Sequence, residues 1–171
     1  MALYQNGQFV EDSWKTIAAG QDIPPSGHVI IPLDWWQAQR GAFTGSNVPI
    51  GVRIEPGTRI ESFAQDIPRM SVIALAFPKF QDGRAFSTAQ LLRERYGFKG
   101  ELRAVGEILL DQLQMLARCG FDTFEITDGP TLQAIKEGRA TQFTKFYQPS
   151  LMTEAPFGTR PWLRQPSTAK S

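Results

Sequence analysis

Lys79, Asp82, Arg84 and Ser87 form the densest group of residues suited to a charged ligand, directly behind an apolar run, Val72 to Phe77. Strand, charged loop, helix is the order in which α/β proteins carry binding and catalytic groups. Gly83 lets this loop turn tightly. Ser87-Thr88-Ala89-Gln90 has the spacing of a capping box, in which the Ser hydroxyl and the Gln side chain satisfy opposite amides at a helix start. Lys79 and Arg84 would then stand near free helix amides, and an anion is the ligand such a corner takes. The competing reading is structural: Asp82 and Arg84 pair and hold the loop. His28, the one histidine, precedes an apolar strand and reads as structural. Acid–base chemistry therefore falls to Asp, Glu or Lys with a shifted pKa, with Asp82 and Glu107 as candidates.

A second set of charges follows from alternation. In Val72–Phe77 the bulky Ile73, Leu75 and Phe77 oppose Val72, Ala74 and Ala76. In Glu101–Val105, Leu102 and Ala104 oppose Glu101 and Arg103; in Thr123–Ile126, Phe124 and Ile126 oppose Thr123 and Glu125. The pattern predicts one bulky apolar sheet face under helices and one face that is small and charged. Arg103 and Glu125 read either as a structural ion pair across strands or as charged walls of a pocket; a buried charge needs a partner in both cases. A helix over 107–119 would place Glu107, Asp111, Gln114 and Arg118 on one polar stripe, a solvated face or a partner surface. Cys119 flanks that stripe and reads as a packed small hydrophobe.

The elements that must position these groups are legible in outline. Asn6-Gly7 between Leu3–Gln5 and Gln8–Val10 is a strong hairpin signal. His28–Leu33 and Gly51–Ile54 read as strands, Asp34 as a cap for Trp35–Arg40, and Thr58–Asp66 as a short helix stopped before Pro68. From Val72 the order is strand, helix, strand, helix, strand, helix, with Asp128 capping Thr131–Glu137. The expected fold class is α/β: a βαβαβα parallel unit over about 72–138, preceded by a β-rich part with a hairpin. One domain over 1–147 is expected, with a Pro-rich extended tail over 148–171 in which Trp162 and Leu163 are the apolar exceptions.

Composition narrows the function. The chain has 171 residues, a formal net charge of +1, one cysteine and one histidine. The charge gives no case for a nucleic-acid or anionic-membrane partner. No apolar run has the length of a membrane span, and the N-terminus lacks a secretory signal, so a cytoplasmic protein is expected. One cysteine and one histidine cannot supply a Cys/His zinc site or the thiolates of an iron–sulfur cluster. A carboxylate-held magnesium, which needs few protein ligands, stays compatible with the sequence. No dinucleotide, P-loop or nucleophile-elbow motif occurs. The expectation is no cofactor.

Several runs carry a family likeness: Phe77-Pro78-Lys79-Phe80-x-Asp82-Gly83-Arg84, Leu92-Arg93-Glu94-Arg95-Tyr96-Gly97, Gly100-Glu101-Leu102-Arg103-Ala104-x-Gly106, Leu110-Asp111-Gln112 and Arg118-Cys119-Gly120-Phe121-Asp122. In series they resemble the bacterial DUF934 family, strongly over about 70–126 and loosely over the hairpin and Gly51-Val52-Arg53, with the Pro-rich tail outside. The resemblance implies a place in sulfur assimilation, because members are commonly encoded beside sulfite reductase. It brings no catalytic residues with it. Joined to the missing redox ligands, it implies an accessory protein that binds sulfite reductase, another sulfur-assimilation enzyme or a small oxyanion. The alternatives are an enzyme acting on a small anionic metabolite, with Lys79, Arg84 and Arg103 holding the anion, and a purely structural module. A homodimer is compatible with the short predicted sheet.

Overall fold

Val72–Phe77 is buried at every position and forms β6, near the middle of the sheet. The computed structural model describes residues 2–24, 26–43, 49–79 and 82–139. Phe80, Gln81 and the Pro-rich segment 148–171 lie outside the described residues. The other strands are β1 (Ala2–Gln5), β2 (Gln8–Val10), β3 (Trp14–Thr16), β4 (His28–Pro32), β5 (Ile50–Ile54), β7 (Glu101–Gly106) and β8 (Thr123–Ile126). All eight join one sheet in the order β2-β1-β8-β7-β6-β5-β4-β3. From β3 to β8 each strand lies parallel to the next one in sequence. The hairpin completes one side, with β1 antiparallel to β8 and β2 antiparallel to β1. The β-rich N-terminal part is therefore continuous with the βαβαβα unit, and β3–β5 extend its parallel array.

Right-handed crossovers between sequential neighbours place every connection on one face of a sheet. The helices are α1 (Leu33–Ala38), α2 (Arg40–Phe43), α3 (Arg84–Glu94), α4 (Leu113–Arg118) and α5 (Gly129–Lys136). Leu33, Trp36, Leu92, Leu116 and Ile135 pack in one core with the outward strand residues Val52, Ile73, Leu75, Leu102 and Phe124. The other face carries a separate small cluster, Ile30, Val72, Ala74, Ala76 and Val105, with Trp14 against it. The two unlike faces match the alternation in the sequence.

The sheet cannot be flat. Val10 ends β2 at one edge and Trp14 starts β3 at the other, with only Glu11, Asp12 and Ser13 between them. Four peptide steps reach at most about 14 Å. Seven flat inter-strand spacings would separate the edges by about 34 Å. The sheet therefore curls until its edges nearly meet, and residues 8–16 act as one run that pairs with β1 early and β4 late. Asp12 and Trp14, two apart on that run, both reach the inner face.

Inside the curl, Arg103 is 1% exposed. Its Nη1 and Nη2 donate to the two carboxylate oxygens of Asp12 at 2.7 and 3.1 Å, and its Nε donates to Glu101 Oε1 at 2.8 Å. Thr123 Oγ1 donates to the same Glu101 oxygen at 2.6 Å. Burial works against the Arg103 charge, but the bonds to Asp12 and Glu101 outweigh it and hold the guanidinium above its ordinary pKa. On the outer side Arg93 plays a matching role: it donates to the Phe98, Gly100 and Gly120 carbonyls and to Asp122, joining α3 to the starts of β7 and β8.

Some boundaries differ from the sequence expectation. α3 begins at Arg84, three residues before the expected Ser87 cap, because Asp82 Oδ1 accepts the Arg84 amide at 3.2 Å and opens the helix early. Ser87 is an exposed residue within α3. The helix expected over 107–119 is reduced to a 3₁₀ turn at Leu110–Gln112 followed by α4. Gly106 (φ 107°) folds the chain over the end of β6, where the Glu107 amide donates to the Phe77 carbonyl at 2.8 Å. A Cβ on Gly106 would lie 2.3 Å from that carbonyl oxygen, so only glycine fits. α1 starts at Leu33, ahead of the expected Asp34 cap, and Thr58–Asp66 yields a 3₁₀ turn at Ile60–Phe63, with a second at Ile67–Arg69 that includes Pro68. Asp128 caps α5 as expected, accepting the Thr131 amide at 2.7 Å.

Two outcomes are expected in urea unfolding. Asp12→Ala removes the two-nitrogen partner of the buried Arg103, leaving Glu101 alone to pair with it, and should destabilise the protein by about 3 kcal/mol. Asp128→Ala should cost about 1 kcal/mol, whereas Ser87→Ala should stay within about 0.5 kcal/mol; a cap-sized loss at Ser87 would contradict the early start of α3.

Candidate functional site

The carboxyl ends of six parallel strands open on one rim of the curl, which is where parallel sheets bind ligands. Loops after β3, β4 and β5 enclose a cleft of about 590 Å³ there, lined among others by Thr16, Pro32, Asp34, Arg53, Glu55 and Thr58. Arg53 lies opposite Ala74 in the pairing of β5 with β6, on the inner face. Its Nε donates to Glu55 Oε1 at 3.0 Å, with 44% of the side chain exposed. That bond uses one edge of the guanidinium and leaves both Nη groups for a ligand. The Glu55 carbonyl accepts from the Thr58 hydroxyl at 2.7 Å and fixes the loop below.

The sequence-predicted loop flanks this cleft. Arg84 Nη1 stands 3.1 Å from where a Gly57 Cβ would be, so the loops after β5 and β6 touch. Arg84 is engaged with Asp82: Nε donates to Oδ1 at 2.9 Å and Nη2 to Oδ2 at 2.6 Å. The Arg84 hydrogen bond holds the Asp82 carboxyl below its ordinary pKa. Of the two readings of this pair, the geometry is that of mutual pairing. Lys79 is exposed on the same loop.

Of the four residues expected to hold an anion, Lys79, Arg84 and Ser87 are exposed on the loop after β6 and the first turn of α3, whereas Arg103 is buried inside the curl against Asp12 and Glu101. Arg103 hydrogen-bonds Asp12 and Glu101, not the expected Glu125. The polar stripe of Glu107, Asp111, Gln114 and Arg118 is likewise broken, because Glu107 precedes the helix. Asp111 and Gln114 instead line a groove of about 710 Å³ with Asp128, Pro130 and Arg139. Cys119 is buried, and burial pushes its thiol up, as befits a packed residue. His28 stacks on Trp14 with ring centroids 4.9 Å apart.

Glu125 occupies the inner face of β8, paired with Leu3 and two residues beyond Thr123. It is half-buried, with no hydrogen-bond or ion-pair partner among the described residues. Burial raises its pKa above the ordinary 4.5 and Asp12 adds to the rise, while Arg103, Arg53 and the N-terminal amine oppose it. Sequence reasoning missed Asp12, Arg53 and Glu55 as site or network residues. Asp12 carries no motif; its only signal is its place in the alternation of Gln8–Thr16.

A singly wound, curled α/β sheet with a polar rim is the class these features define. Within it, the chain belongs to the bacterial protein family of unknown function DUF934, whose model matches residues 51–158. The match starts inside β5, leaving the hairpin outside, and it runs into the Pro-rich segment, which the sequence comparison placed beyond the family. No curated protein matches the chain. Among the described residues no helix is long and apolar enough to cross a membrane.

Glu125 generates a stability test. The native state keeps its proton to higher pH than the unfolded chain, so stability falls as pH rises above about 4.5 through its titration. Glu125→Gln should leave the melting temperature near wild type at low pH and raise it at neutral pH. A variant equally or less stable at neutral pH would contradict the burial of this charge.

Proposed function

We propose that this protein is a cytoplasmic binding component of assimilatory sulfite reduction, holding a small oxyanion at the rim of its curled sheet without redox chemistry of its own. The cleft at the ends of β3–β5, with the Nη groups of Arg53 on its wall, carries the reading. A guanidinium fork matches the oxygens of a tetrahedral or pyramidal oxyanion. Lys79 adds positive charge on the neighbouring loop and attracts the anion. With one cysteine and one histidine the chain lacks ligands for a cluster, so electrons would come from a partner such as the reductase. The groove carrying Asp111 and Gln114 is a surface open to that partner.

An enzyme acting on a small anionic metabolite is the second reading, favoured by the half-buried Glu125 carboxyl on the same inner face as Arg53.

Thermal-shift titration with sulfite and sulfate tests the first reading. Anion at about a hundredfold its dissociation constant should raise the melting temperature by about 5–10 °C. Arg53→Ala should abolish the shift and Arg84→Ala should keep it. An unchanged response in Arg53→Ala would overturn the assignment of the cleft.

A further inference from the structure

We propose that the groove between the turn at Leu110–Gln112 and α5 is the seat of this chain's own segment 140–158, which docks its aromatic side chains there. The docking is independent of the oxyanion reading of the rim. The face offered to a partner then carries the seated segment.

The groove measures about 710 Å³ and is lined among others by Leu109, Leu110, Asp111, Pro130, Ala134 and Arg139. Leu109 and Leu110 are half-buried and Pro130 is exposed, so apolar surface stands open beside the exposed carboxylate of Asp111. A concavity of that size accommodates a ligand of several rings. The described chain leaves the body at this wall. Gly138 (φ 73°) closes α5: its amide donates to the Ile135 carbonyl at 3.0 Å, and the Arg139 amide donates to the Ala134 carbonyl at 2.9 Å. Ala134 and Arg139 both line the groove, so the chain continues from its edge. Phe143, Phe146 and Tyr147 follow at i, i+3 and i+4, the spacing that turns three rings to one side. Phe143 is within about 14 Å of chain from Arg139 and Tyr147 within about 29 Å. Lys145 among them brings the charge opposite to Asp111. A tether this short holds the segment at an effective concentration on the order of millimolar, which favours it over a second copy or another protein for the same groove. The family's sequence model continues through residue 158, so 140–158 belongs to the same recurring unit as the sheet, and Leu151, Met152 and Phe157 extend its apolar content.

Limited chymotrypsin digestion of the full chain, read by mass spectrometry, tests this, because a seated ring cannot enter the protease. Phe146 and Tyr147 lie inside the segment and Trp162 beyond it. In wild type, cleavage after Phe146 and Tyr147 should be at least about tenfold slower than after Trp162. Leu110→Asp in the groove and Phe143→Ser in the segment should each bring the Phe146 and Tyr147 rates up to that at Trp162. Asp111→Arg, at an exposed position, should raise the same two rates and serves if Leu110→Asp fails to fold. Equal rates at Phe146, Tyr147 and Trp162 in wild type would overturn the docking. Protection that persists in the folded groove variants would place the segment elsewhere and overturn the assignment of the groove. Protection that disappears on dilution, with a dimer in sedimentation, would make a second copy the occupant and overturn docking within one chain.

Discussion

Arg103 carries a full charge with 1% of its surface exposed, between Asp12 from the run joining the sheet edges and Glu101 from its own strand. An unpaired charge in that place would be untenable, so the curl and the ion cluster require each other. Asp12 reaches Arg103 only if residues 8–16 bridge the two edges of the sheet. Once they do, the inner face is enclosed, and the fold has an interior distinct from its apolar outer core. The bidentate geometry adds direction to the contact, since both guanidinium nitrogens face one carboxylate. Thr123, sharing the Glu101 oxygen, extends the cluster to β8. Two strands and the bridging run thus meet at one guanidinium.

From that closure the rim follows. Parallel neighbours point their carboxyl ends the same way, so the loops after β3 to β8 gather at one end of the curl. Among the described residues the helices pack on the outer face over an apolar core, and the inner face carries a smaller apolar cluster beside its charged side chains. Gly106 marks how tightly the rim is built, since its backbone lies against Phe77 with no room for a side chain. Arg53 and Glu125 share the inner face because the pairing of β5 to β8 fixes which alternate residues turn inward. The asymmetry between them is physical: Arg53 reaches solvent at 44% exposure, while Glu125 is half-buried and holds its proton more firmly.

How much was legible depended on the range of the interaction. The Asn6-Gly7 hairpin, the Asp128 cap and the two-faced alternation of β6, β7 and β8 were readable, because each is decided within a few residues. Positive φ at both turn residues, 49° and 86°, is what that dipeptide permits. The Ser87 capping box failed because Asp82, five residues upstream, satisfied a helix amide first. The polar stripe on the following helix failed because a backbone bond from Glu107 to Phe77 removed the first turn. In the candidate site, Arg103 was visible as an inward charge, yet its partner Asp12 lies 91 positions away and no spacing rule reaches so far.

The sequence by itself determined the local geometry: which runs are strands, which residues alternate, where glycine must turn the chain, and that the chain lacks the side chains for a self-contained cluster. It also determined the family, through short runs that stand in the same order across the α/β part. Only the tertiary structure decided that the sheet curls, that Arg103 is neutralised by Asp12 and Glu101, and that Arg84 pairs through two nitrogens with Asp82 while Arg53 meets Glu55 through one. The reason is that charge pairing acts through space. A carboxylate two residues from an arginine and one 91 residues away compete on equal terms once the chain has brought both within hydrogen-bond distance.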